Sequence, residues 1–66
     1  MSYTRFYFIT GGDLQGAIGL LMSEGVSYRY SARAKEVRFL LKNEYRAMNV
    51  CKKVKLFGCK VRMRYE

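Results

Sequence analysis

Side chains that could do chemistry are few in this chain, and they are mostly cations. There is no histidine, so imidazole acid–base catalysis, Cys–His nucleophile pairs and most zinc and haem sites are excluded. The carboxylates Asp13, Glu24, Glu36, Glu44 and Glu66 stand singly, without the pairing that carboxylate chemistry needs. Cys51 and Cys59 are eight positions apart, which matches neither a redox CxxC nor a zinc ribbon, so two reduced core thiols are expected. Gly11-Gly12-Asp13 lacks the lysine and hydroxyl of a phosphate-binding loop and is better suited to starting a helix, with Asp13 as its cap. What remains is 13 Lys plus Arg against 5 Asp plus Glu, a net charge of +8. A binding protein for an acidic partner is expected, with no catalytic residue, metal, cofactor or small-molecule substrate.

Sixty-six residues, half of them apolar, suffice for one folded domain spanning 1–66. Phe6 to Ile9 is the one uninterrupted apolar run near the N-terminus, too short for a signal sequence or a membrane span, so a cytoplasmic protein is expected. A shift of 33 superposes Arg5-Phe6 on Arg38-Phe39, Ile18 on Cys51, Leu21 on Val54 and Gly25 on Gly58. Each half reads strand, helix, glycine, strand. Tyr3 to Thr10 is the first strand, and Leu14, Ala17, Ile18, Leu21 and Met22 recur at helical spacing until Gly25. Val26 to Ser31 alternates again. Val37, Phe39 and Leu41 share one strand face, Asn43 caps a second helix striped by Ala47, Val50, Cys51, Val54 and Phe57, and Cys59 to Tyr65 alternates apolar with basic.

The order βαββαβ predicts an α+β, ferredoxin-like sandwich: a four-stranded antiparallel sheet with two helices on one face. A rival reading makes 33–48 one helix, since Ala34, Val37, Leu41, Tyr45 and Met48 also fit a helical stripe, and it leaves 50–65 as a basic hairpin. Arg33 to Lys35 lacks Gly, Asn or Pro and is a poor hairpin turn.

In the sandwich, period-two alternation turns Phe6, Phe8, Tyr28, Tyr30, Val37, Phe39, Leu41, Val61 and Met63 toward the helices. The open face then collects Arg5, Tyr7, Arg29, Arg38, Leu40, Lys42, Lys60, Arg62 and Arg64, with Tyr3 near one end and no acid among them. Arg5 and Arg38 are expected side by side on central strands. Guanidinium groups grip phosphate with paired hydrogen bonds, and Tyr7 offers a stacking platform for a base. In architecture the expected sandwich resembles RNA-recognition motifs, whose open sheet carries aromatic residues on its central strands; that resemblance gives Tyr7 its role here. The glycine- and aromatic-rich pattern of their third strand is absent, so weakly sequence-selective binding of single-stranded or structured nucleic acid is expected. Lys52, Lys53 and Lys55, near the end of the second helix, suit its dipole and would extend the track.

A second class of partner is an acidic protein surface, bound by a small interaction module or inhibitor. Gly16, Gly19 and Ser23 fall on the back of the first helix with Leu20 beside them, and each exposed helical glycine costs about 1 kcal/mol relative to alanine. Close approach of a partner is one reason for them; tight packing against the second helix or a loop is the other.

Overall fold

The structure, a computed structural model, describes residues 4–65. The chain runs β1 (Arg5–Thr10), α1 (Leu14–Ser23), β2 (Tyr28–Ser31), β3 (Glu36–Leu40), α2 (Glu44–Lys55) and β4 (Lys60–Tyr65). The fold is α+β, with one four-stranded antiparallel sheet in the order β2-β3-β1-β4 and two helices. Residues 33–48 are therefore not one helix. Glu36–Leu40 pairs with both β1 and β2, and ladder bonds on two sides override the helical propensity of the segment.

Both helices start where their caps are. The Asp13 carboxylate accepts from the Gly16 backbone N–H at 3.0 Å, and the Asn43 side-chain oxygen from that of Arg46 at 3.1 Å. Gly25 and Gly58 follow the two helices with φ of +69° and +77°, the left-handed conformation that ends a helix. The β2–β3 connection, Ala32 to Lys35, has no glycine, and Lys35 itself takes φ 51°.

Ala17 and Leu21 of α1 and Ala47, Val50 and Val54 of α2 join Tyr7, Ile9, Val37 and Phe39 of the sheet in one buried cluster. Both helices thus cover the same face. Tyr7 and Phe39, directly opposed in the β1–β3 ladder, stack at 5.1 Å between ring centroids with 13° between planes. Met22, expected in the α1 stripe, is exposed, and Phe57 lies just past the end of α2. The loops entering α1 and leaving α2 are locked together. The Asp13 N–H donates to the Phe57 carbonyl at 3.0 Å, and the Gly12 and Gly58 backbones touch so closely that a Cβ on Gly12 would stand 2.6 Å from the Gly58 oxygen.

Candidate nucleic-acid interface

Alternation along β1 is opposite to the sequence expectation. Tyr7 and Ile9 face the helices, and Phe6 and Phe8 face away. Four consecutive apolar residues satisfy either parity, and a one-residue change in parity exchanges every side chain between the two faces. Arg5 and Tyr7 are corrected accordingly: both turn to the helix side, so Arg5 does not stand beside Arg38, which keeps its expected place on the open face. Tyr7 is only 7% exposed and stacked on Phe39, so it offers no platform to a base.

Arg5 instead ties the sheet to α2. Its Nη2 donates to Glu44 Oε1 at 2.8 Å and its Nη1 to the Tyr7 hydroxyl at 3.3 Å, with the guanidinium 5.8 Å from the Tyr65 ring centroid. The bond to Glu44, then that to Tyr7, raises the guanidinium pKa above its usual value. Lys42 also leaves the open face, because β3 ends at Leu40 and Lys42 stands in the exposed connection to α2. Tyr3 lies outside the described residues.

The pairing register orders what the open face does hold. One row across the sheet is Arg29, Arg38, Phe8, Arg62; the next carries Leu40, Phe6, Arg64. At the other end Ser31, Glu36, Thr10 and Lys60 align, so an acid does stand on this face. Glu36 is the first paired residue of β3 and shares the parity of Arg38, which corrects the expectation of an acid-free surface. The arginines lie over the aromatic rings. The Arg38 guanidinium carbon is 5.1 Å from the Phe6 centroid, and that of Arg64 is 5.8 Å from Phe8. Phe8 is buried yet stands apart from the core cluster, with Arg38 and Arg62 on either side in its row and the Arg64 guanidinium over its ring. Beside Phe6, a hollow of ≈ 180 Å³ is lined by Arg29, Arg38 and Leu40.

Phe6 and Phe8 are the functional candidates the sequence reading missed, and a signal for them existed. Measured back from the helix caps, Ile9 and Phe39 are each four residues before Asp13 and Asn43, since 13 − 9 = 43 − 39. Aligning the first strands on their caps gives an even offset of 30, which turns Tyr7 and Ile9 inward like Val37 and Phe39. The offset of 33 is odd and reverses them.

On α1, packing within the fold accounts for part of the surface offered to a partner, Gly16 and Leu20, while Gly19 and Ser23 stay exposed. A Cβ on Gly16 would meet the Phe57 ring at 2.6 Å, so Gly16 is small because α2 ends against it. Leu20 packs against the core, and the Ser23 hydroxyl donates to the Leu20 carbonyl at 2.8 Å. Gly19 faces open space, and nothing in the structure explains it.

Cys59 is buried and Cys51 half-buried, both as free thiols, and burial raises the pKa of each. No helix among the described residues is long and apolar enough to cross a membrane. Among known proteins, no family model, no curated sequence and no solved structure matches this chain.

Proposed function

We propose that this chain is a non-enzymatic, ferredoxin-like nucleic-acid-binding domain that holds single-stranded or structured nucleic acid on its open sheet face with weak sequence selectivity. The observation that carries the reading is the pair of rows in which Phe6 and Phe8, on a central strand, are flanked by Arg29 and Arg38 on one side and Arg62 and Arg64 on the other. Like charges directly opposed across strands weaken a sheet, and phosphate between them removes that cost. Arg29, Arg38, Arg62 and Arg64 take the backbone, Lys60 extends the track, and Glu36 limits it at one end. Phe6 is the stacking platform, exposed when the Arg38 guanidinium slides from the ring to a phosphate. The two interactions exchange on binding.

Fluorescence anisotropy with labelled oligouridylate and oligothymidylate tests this. Affinity falls steeply with salt, with a log–log slope of about −0.7 per phosphate neutralised on a single strand. Arg38→Glu with Arg62→Glu abolishes binding while circular dichroism stays native. Phe6→Ala weakens binding by about 1–3 kcal/mol, the usual value of one stacked base. Salt-insensitive affinity, or binding that survives the double reversal in a folded protein, overturns the reading.

A further inference from the structure

On the other side of the sheet, α2 leaves a groove of ≈ 370 Å³ against β1 and β4. Its helix wall is Glu44, Met48, Cys51, Lys52 and Lys55, spaced as one stripe along α2, and its floor includes Met63 of β4. Met48 and Met63 are about half exposed here, 57% and 49%, and Met48 stands out on a helix whose Ala47 and Val50 are buried. Unbranched methionines adapt to varied apolar side chains, which suits them to a docking surface. The rim is basic. Lys52 and Lys55 meet no carboxylate among the described residues, whereas Lys53, one position away, is held by Glu24 at 2.7 Å.

We infer that this groove docks an acidic segment of a partner protein, inserting a large apolar side chain between Met48 and Met63 while its carboxylates pair with Lys52 and Lys55. The charge selects this occupant over the others. A second copy of a +8 chain would bring Lys52 and Lys55 against a partner of like net charge. A nucleic acid would find no stacking platform in the groove's lining, whose one aromatic ring, Tyr7, is stacked on Phe39. The site is independent of the open face, since Arg29, Arg38, Arg62 and Arg64 line none of it.

The test uses methionine-methyl NMR with short synthetic peptides: two leucines among glutamates, two serines among glutamates, and two leucines among lysines. Met22 on α1 lies outside the groove and serves as the internal control. The acidic leucine peptide moves the Met48 and Met63 methyl signals and leaves Met22 unmoved, and the other two peptides move none. Lys52→Glu with Lys55→Glu weakens that peptide about tenfold or more, and Arg38→Glu leaves it unchanged. Signals that stay put, or that move as much with the serine peptide, overturn the proposal. So does a shift of Met48 and Met63 on dilution alone, which would mean that another copy fills the groove.

Discussion

Arg29 and Arg38 stand directly opposite each other in the β2–β3 ladder, with Phe8 and Arg62 completing their row. Two guanidinium groups so placed repel, and among the described residues neither has a carboxylate within ion-pair distance. Arg29→Glu puts opposite charges there. It is expected to raise stability by about 0.2–1 kcal/mol while weakening oligonucleotide binding. Urea denaturation and anisotropy on the same variant check both arms. Loss of stability would show that the pair is not repulsive in the free protein.

Lys35 carries the left-handed backbone of the β2–β3 turn, a conformation that costs about 1–2 kcal/mol in a residue with a Cβ. Lys35→Gly relieves that strain at some cost in unfolded-chain entropy. A net gain of up to about 1 kcal/mol is expected, seen as a rise in Tm of a few degrees for a domain this small.

Gly11 and Gly12 both have positive φ, 73° and 59°, yet they differ in surroundings. A Cβ on Gly11 meets nothing within 4 Å, whereas one on Gly12 collides with the Gly58 backbone. Gly11→Ala therefore carries only conformational strain, about 1–2 kcal/mol, and Gly12→Ala adds an overpacking cost of about 1–3 kcal/mol. Equal effects in thermal unfolding would mean that the two loops separate readily.

Glu24 accepts from Lys53 Nζ at 2.7 Å, and that bond, followed by the charge of Lys53, holds its pKa below the ordinary 4.5. A lowered folded-state value makes the ionised group stabilising above its unfolded value, and the contribution is lost as pH falls through the folded value. Glu24→Gln is thus expected to be less stable than the parent at neutral pH and to converge with it in acid. Denaturation midpoints across that range measure the gap, and a gap constant with pH would assign the effect to packing.

Local chemistry made most of the elements legible. Asp13 and Asn43 cap, Gly25 and Gly58 stop, and the alternation of β4 places Lys60, Arg62 and Arg64 on the open face as its spacing implied. The parity of β1 was not legible, since Phe6, Tyr7, Phe8 and Ile9 satisfy a core from either side. Arg5 carried no local sign of its role either, because Glu44, which engages it, is 39 residues away. The basic face survives without Arg5 and Lys42, and it gains the two phenylalanines that the inverted reading had placed in the core.

The strand order carries a consequence for how the molecule assembles. β1 pairs with β3 and β4, and β2 pairs with β3, so each ladder joins the first half of the chain to the second and none lies within a half. A fragment ending near Arg33 would hold two strands with no partner for either, and must remain unfolded until the other piece arrives. Folding therefore waits on contacts distant in sequence, a slow topology for so short a polymer. The same interleaving makes a cut in the β2–β3 turn a natural place to divide the chain into two pieces that recover order only together.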